Sequence, residues 1–135
     1  VKHNGLNVVS MPPSSATAEI GLIKGYSREV IDRLDIIGLI KEFQKTASRE
    51  RSVFLGVSFS DTVIVLNEQA ESHLRLGFVN YPRFPLPHNI FKAEVVNCVS
   101  YLMEKSGQNR TVILFNDETV MLEKSHDVDP GVLSY

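Results

Sequence analysis

The sequence lacks the residue clusters from which disulfides, metal sites and nucleotide-binding loops are built. It contains one cysteine, Cys98, which excludes an intramolecular disulfide and favours a reducing compartment. The histidines show no His-x-x-x-His spacing, although a zinc site needs three or four converging ligands; they are His3, His73, His88 and His126. Neither Gly-x-x-x-x-Gly-Lys-Ser/Thr nor Gly-x-Gly-x-x-Gly occurs. We therefore expect no metal and no cofactor, and nothing supports nucleotide binding.

The chain also lacks a strong net charge and a long apolar run. Its formal charge of −2 is too small to attract nucleic acid or anionic lipid. One modest basic cluster is interrupted by glutamates and is better explained as a solvated helix end than as a phosphate track; it comprises Lys41, Lys45, Arg49 and Arg51. No stretch approaches the roughly 20 apolar residues of a membrane span, and residues 1–5 do not lead into the apolar core of a signal peptide. We expect a cytoplasmic protein with no nucleic-acid or membrane partner.

The composition is that of an ordinary globular protein. The 135 residues are 43% hydrophobic and 22% charged, which suits a single domain with a real core. We expect residues 1–18 to be a tail or an added edge strand with a proline-rich linker at 12–17. Residues 19–125 form a single α+β domain in this interpretation, and residues 126–135 form an irregular tail.

Periodicity predicts a strand and a helix at the start of the domain. Residues 19–26 are β-rich, and Ser27 is the expected N-cap of a helix over residues 28–47. Gly38 lies in the middle of this helix, where glycine costs about 1 kcal/mol relative to alanine, and we interpret it as a site of close backbone packing. The apolar positions at helical spacing are Val30, Leu34, Ile36, Ile37, Ile40 and Phe43.

Two hairpins and a second helix complete the prediction. Residues 51–68 predict a hairpin that turns at Ser60-Asp61, and residues 110–123 predict another that turns at Asn116-Asp117. Residues 73–81 alternate like a strand. The second helix, residues 90–105, has Asn89 as its expected N-cap and Gly107 after its end. Its apolar stripe is Phe91, Val95, Cys98, Val99 and Leu102.

The order strand, helix, strand, strand occurs twice, over about residues 19–68 and 75–123. Ile20-Gly21-Leu22-Ile23 precedes the first helix and Leu76-Gly77-Phe78-Val79 precedes the second. We predict tandem duplicated units that form a mainly antiparallel sheet with two helices packed on one face. In element order only, this resembles the tandem modules of GyrI-like ligand-binding domains. A competing resemblance is to type III secretion chaperones. That family requires a third helix at the C-terminus, and Asp129-Pro130-Gly131 argues against a helix there.

The proline-rich loop from Asn80 to Asn89 is the most suggestive segment for function. Its prolines hold aromatic side chains in a rigid extended segment, which suits the wall of a pocket or a docking surface. We expect a non-enzymatic small binding or regulatory protein that holds a small apolar molecule or a protein segment in a groove between the sheet face and this loop. The expected ligand-binding residues are Arg75, Tyr81, Arg83, Phe84 and His88.

Two alternatives stay open. One is a small cytoplasmic enzyme that uses His88 as general base, supported by Asp61 or Asp117. Both aspartates are more simply explained as turn residues, and Cys98 as a small buried hydrophobe. The other alternative is a homodimeric protein-interaction module that pairs through exposed sheet edges.

Overall fold

A computed structural model of the chain describes residues 1–23 and 29–127. These ranges contain seven strands and two helices. They are β1 (Lys2–His3), β2 (Leu6–Asn7), β3 (Ser15–Gly21), α1 (Arg33–Arg51), β4 (Val57–Leu66), β5 (Gln69–Val79), α2 (His88–Ser106), β6 (Arg110–Phe115) and β7 (Thr119–Glu123). β1 and β2 form a small hairpin of their own, and the other five strands form one sheet in the order β4-β5-β3-β6-β7.

The sheet is antiparallel throughout, with β3 at its centre between β5 and β6. From β3 to β6 the elements follow the split β-α-β order of ferredoxin-like folds, and β7 adds a strand at one edge. This confirms the predicted α+β class, the mainly antiparallel sheet and the two helices. The duplication is not confirmed. β5 is both the second strand of the first hairpin and the strand before α2, so two complete units do not exist side by side.

The core lies between one face of the sheet and the two helices. Alternate residues of the central strands point toward the helices, as the two-residue period of a strand requires. The main buried side chains are Ala16, Ala18, Ile20, Leu74, Leu76, Phe78 and Ile113 from the sheet, Ile36, Ile40 and Phe43 from α1, and Phe91, Val95, Cys98, Val99 and Leu102 from α2. The predicted stripe of α2 is therefore confirmed. Burying each large apolar side chain contributes about 1.5–3 kcal/mol. Within the described part of the chain, large apolar side chains on the opposite sheet face, such as Leu114 and Met121, stay about half exposed.

The first hairpin lies several residues beyond its predicted position. Arg51 still belongs to α1, and β4 runs continuously through Ser60-Asp61, so the predicted turn there is wrong. The chain turns at Asn67-Glu68, where φ is +48° and +67°. Two positive φ values are what a two-residue type I′ turn needs. Asp61 is tolerated within the strand because its carboxylate accepts a hydrogen bond from the Arg33 guanidinium.

The boundaries of β3 and both helices also differ from the prediction. β3 starts at Ser15, inside the predicted linker, while Tyr26 and Ser27 lie outside the described residues. α1 begins at Arg33 because the Asp32 side chain accepts a hydrogen bond from the Leu34 amide at 2.9 Å.

For α2, the predicted N-cap is wrong and the predicted C-cap is confirmed. The N-cap of α2 is Pro87, so the predicted N-cap at Asn89 is wrong. The C-cap at Gly107 is confirmed, with φ +69° and its amide bonded to the Met103 carbonyl.

Gly38 in α1 is not a close-packing site, which corrects its interpretation. A Cβ added there meets nothing within 4 Å apart from its own helix. We expect Gly38→Ala to raise the free energy of unfolding by about 1 kcal/mol, because alanine loses less backbone entropy in a helix. Urea unfolding measures this. Gly77→Ala is the control and should not raise the free energy of unfolding, because the added Cβ would collide with Ser58 Oγ. An unchanged or lower stability for Gly38→Ala contradicts the expectation.

Candidate functional site

Three partly exposed aromatic side chains lie together in a cleft beside α1. Phe54 comes from the connection between α1 and β4, and Tyr81 and Phe84 come from the loop between β5 and α2. Lys41 and Lys45 of α1 form the polar wall. We call these five residues and the cavity between them, of about 580 Å³, the aromatic cleft.

The end of α1 sets the position of Phe54. The helix ends at Ser52, which adopts the left-handed conformation with φ +54°. Val53 and Leu55 then point into the core, so the residue between them must point outward. The Gln44 side chain fixes this segment by donating to the Leu55 carbonyl at 2.8 Å. As a result, Phe54 stays 49% exposed although it lies next to the core.

The proline-rich loop forms the other wall and is held by Asn80. The Asn80 side chain donates to the Leu86 carbonyl at 2.7 Å and accepts from the Leu86 amide at 2.9 Å. The Phe84 amide also donates to the Tyr81 carbonyl at 2.9 Å. These bonds fold the loop compactly and place the Tyr81 and Phe84 rings 6.1 Å apart at 26°. Phe84 lies 5.0 Å from the ring of Phe54, at the centre of the three.

The aromatic cleft suits a flat, partly charged molecule. Phe54, Tyr81 and Phe84 stay 49%, 57% and 46% exposed while the loop and the helix end hold them in place. Aromatic faces stack on heterocycles and attract cations over their π-systems. Lys41 and Lys45 are exposed ammonium groups that can meet a carboxylate or phosphate. The cleft can therefore bind a heteroaromatic ring, a cation and an anion in one ligand.

A separate polar cluster surrounds His88 at the start of α2. Its Nδ1 lies 2.7 Å from Ser14 Oγ, and its Nε2 lies 2.7 Å from Asp117 Oδ2. Lys92 contacts Asp117 at 3.3 Å and also pairs with Glu118. The hydrogen bond from His88, and then the contacts with Lys92, hold the pKa of Asp117 below its ordinary value. Hydrogen bonding to Glu118 raises the pKa of Lys92.

The polar cluster ties three elements together rather than opening onto a cavity. Both ring nitrogens of His88 are engaged, and Ser14 is only 6% exposed. The bonds join the start of β3, the first turn of α2 and the β6–β7 turn. Asp61 is not part of the cluster, because it pairs with Arg33 on β4.

Replacing His88 tests this structural role. His88→Ala removes both bonds and leaves the buried Ser14 hydroxyl without its partner, so the free energy of unfolding should fall by about 1 kcal/mol. The folded-state pKa of Asp117 is depressed, so its contribution is present above its unfolded pKa and is lost as pH falls through the lower folded value. That acid-side loss should shrink in His88→Ala. Thermal unfolding from about pH 7 down to about pH 3, around the ordinary aspartate pKa, measures both effects. Unchanged stability at neutral pH contradicts the assignment.

The five predicted ligand-binding residues lie in three places. Tyr81 and Phe84 meet in the aromatic cleft, and Arg83 is exposed in the same loop. Arg75 lies on the uncovered sheet face, where Nε and Nη2 donate to Glu19 Oε1 at 2.8 and 2.6 Å. His88 lies in the polar cluster. The second wall of the cleft is formed by α1 and the segment after it. The sequence predicted the sheet face as this second wall.

Sequence reasoning missed Phe54, and it interpreted Lys41 and Lys45 only as part of a solvated helix end. The available signal for Phe54 was a phenylalanine at the solvent-facing position between Val53 and Leu55, on a side otherwise occupied by serine and glycine. The sequence could not link the lysines to a cleft, because that depends on which loop packs beside α1.

The remaining chemical groups are accounted for by the fold. Burial, with a smaller effect of Glu94, raises the pKa of Cys98 to about 12, as expected of an inert core thiol. Within residues 1–23 and 29–127, no three histidine, cysteine, aspartate or glutamate side chains are grouped so that they could hold a metal ion. Neither α1 nor α2 is apolar enough over its length to cross a lipid bilayer.

Comparison with known proteins finds a likeness of fold alone. No protein-family model and no curated protein matches the sequence. A phage SAM lyase in complex with S-methyl-5′-thioadenosine matches with a TM-score of 0.65 and 12% identity, over 91% of this chain and 98% of the lyase. The apo state of a phage SAM lyase matches with a TM-score of 0.63 and 12% identity, over 85% and 91%. The expectation of a non-enzymatic binding or regulatory protein is contradicted, because both structures that share the fold are of an enzyme.

Proposed function

We propose that this chain is a small lyase that cleaves a carbon–sulfur bond of S-adenosylmethionine or a closely related sulfonium nucleoside. The observation that carries the proposal is the extent of the fold likeness, which covers 91% of this chain and 98% of a phage SAM lyase. The likeness therefore extends over nearly all of the given sequence and nearly all of that lyase chain. Because the proposed substrate is a metabolite of the cell interior, we also propose a cytoplasmic location.

The aromatic cleft supports this substrate class. Its volume of about 580 Å³ lies within the range of small-ligand sites, about 300–1,000 Å³. The adenine ring can stack on Phe84 or Phe54, as bases do on aromatic platforms. The sulfonium cation fits over a neighbouring ring face. Lys41 and Lys45 can pair with the substrate carboxylate, so each part of the ligand has a partner in the cleft.

The chemistry needs little from the protein beyond binding and orientation. A sulfonium sulfur leaves as a neutral thioether that takes the electron pair of the broken bond, so no acid is required at sulfur. The carbon it leaves must gain a bond, and the substrate's own carboxylate oxygen can form it; this step closes a lactone and releases no proton, so no base is required. Holding the substrate against the aromatic side chains fixes the reacting atoms in a geometry close to that of the reaction and excludes water.

Product analysis in ¹⁸O-labelled water tests the reaction class. The chain is incubated with S-adenosylmethionine, S-methyl-5′-thioadenosine is quantified by mass spectrometry, and the other fragment is identified by NMR. We expect S-methyl-5′-thioadenosine to form at a rate proportional to the protein concentration. The carbon that carried the sulfur should contain no oxygen from the solvent. Formation no faster than in buffer overturns the proposal. Solvent oxygen on that carbon overturns the lyase assignment and indicates hydrolysis.

A further inference from the structure

The sheet face opposite the helices carries an apolar surface that residues 1–23 and 29–127 leave part-exposed. We call this surface the open face. It presents the residues that alternate with the core residues of each strand, and six of them are large apolar side chains between 36% and 61% exposed. They are Ile64, Leu66, Val79, Val112, Leu114 and Met121. A sheet that covers only one of its faces leaves such a surface for another layer.

The β4–β5 hairpin extends this surface beyond the rest of the sheet. The pairing of β3 ends at Gly21 with His73, and the Leu22 amide still donates to the Ser72 carbonyl, so among the described residues 63–71 extend past β3 as an arm. The arm is about 15 Å long at the rise of a strand. Four consecutive exposed apolar residues lie within it, with no charge between Asp61 and Glu68: Ile64 and Leu66 belong to the open face, and Val63 and Val65 alternate onto the other face. An isolated two-stranded hairpin is marginally stable in water, so the arm gains most by packing on another surface.

The charged groups of the open face are paired with one another. Arg75 bonds to Glu19. His73 contacts Glu71 at 3.3 Å, and Arg110 Nε donates to Glu123 Oε2 at 2.6 Å. The face therefore has little net charge, and two copies of it can approach without like-charge repulsion. Such pre-formed pairs also lose less solvation on burial than single charges do.

We infer that the open face and the arm form an interface with a second copy of this chain. Five strands spaced about 4.8 Å apart, each presenting about seven residues, give a face on the order of 500 Å². The arm adds about 150 Å² in the same plane, and the rough side-chain surface exceeds this projection. The total approaches the roughly 800 Å² per partner of a standard interface. The same patch meets itself in a two-fold dimer, with the sheets packed face to face rather than edge to edge.

Light scattering coupled to size-exclusion chromatography tests this inference. We expect the natural chain to have twice the mass of a single chain. Leu114→Lys, at the centre of the open face, and Ile64→Lys, on the arm, should each reduce the mass to that of a single chain. Both side chains are already part-exposed in the isolated chain, so the fold should persist, which circular dichroism checks.

Leu34→Lys is the matched control, because Leu34 is 68% exposed and lies on α1, which packs on the other face of the sheet. It should keep the mass of the natural chain. A natural chain that is monomeric at high protein concentration overturns the inference and leaves the face to a different protein. Folded Leu114→Lys and Ile64→Lys chains that retain the higher mass overturn the location of the interface.

Discussion

Phe84→Ala should weaken the binding of S-methyl-5′-thioadenosine by about five- to 150-fold. Stacking of a base on an aromatic side chain contributes about 1–3 kcal/mol by alanine substitution, and 1.4 kcal/mol corresponds to a factor of ten. Phe84 is the ring of the aromatic cleft that contacts both of the others, at 5.0 Å from Phe54 and 6.1 Å from Tyr81. Removing the Phe84 ring therefore removes one stacking surface and also removes a packing contact of both Phe54 and Tyr81. Isothermal titration calorimetry measures the change.

Two control variants separate stacking from other effects. Phe59→Ala makes the same substitution at a part-exposed phenylalanine of β4 outside the cleft and should leave the affinity unchanged. Replacing Lys41 and Lys45 together by methionine should weaken the binding of S-adenosylmethionine but not that of S-methyl-5′-thioadenosine, because S-methyl-5′-thioadenosine lacks the carboxylate. If Phe84→Ala and the natural chain bind the thioadenosine equally well, the ligand lies elsewhere.

Arg51→Met should lower the free energy of unfolding by about 2–3 kcal/mol, the largest loss expected from a single change at an ion pair. Glu94 is 5% exposed in α2, and Arg51 at the end of α1 bonds both of its oxygens, at 2.9 and 2.8 Å. This hydrogen bonding is the main reason why the pKa of Arg51 is raised. Removing one partner of a fully buried pair costs about 3–5 kcal/mol. The figure is reduced here because the Arg51 side chain is 38% exposed.

A double variant shows whether the loss comes from the unpaired carboxylate. Arg51→Met combined with Glu94→Met should recover at least half of it, since apolar residues of similar size can replace a buried pair with little cost. Arg49→Met, on the exposed side of the same helix turn, is the control and should change stability by less than about 0.5 kcal/mol. Urea unfolding of all four chains measures these differences. A double variant no more stable than Arg51→Met contradicts this explanation.

The parts of the fold that follow from local patterns were predictable from the sequence. The buried stripe of α2 and its C-cap at Gly107 follow from helical periodicity and from the conformational freedom of glycine. The second hairpin follows from alternation and the Asn116-Asp117 turn. The first hairpin was misplaced because Ser60-Asp61 has turn-forming residues, whereas the actual turn at Asn67-Glu68 carries only one of them. The actual turn has positive φ at both residues, which asparagine accepts but glutamate rarely adopts, so the residue types alone do not mark it.

The aromatic cleft was only half predictable. Tyr81 and Phe84 could be singled out because they lie between prolines in one loop. Phe54 lies beside them because α1 ends in a left-handed conformation at Ser52. Serine is not a residue that predicts this conformation from the sequence. The sequence supported an enzyme only as an alternative, with His88 as general base, and the chemistry of the proposed substrate gives a reason for this. A sulfonium already carries its leaving group, so cleavage requires neither paired carboxylates nor a metal cluster, and the sequence motifs that mark such groups have no reason to occur.

The most direct test is the rate of S-methyl-5′-thioadenosine formation from S-adenosylmethionine, measured side by side for three chains. These are the natural chain, a variant with both Phe54→Ala and Phe84→Ala, and the Phe59→Ala control. We expect turnover above the spontaneous rate in the natural chain and in Phe59→Ala, and a loss of at least about tenfold in kcat/KM, or about 1.4 kcal/mol of transition-state stabilisation, in the double variant. Turnover that survives in the double variant would contradict the cleft as the site, and no turnover in any of the three would contradict the proposed function.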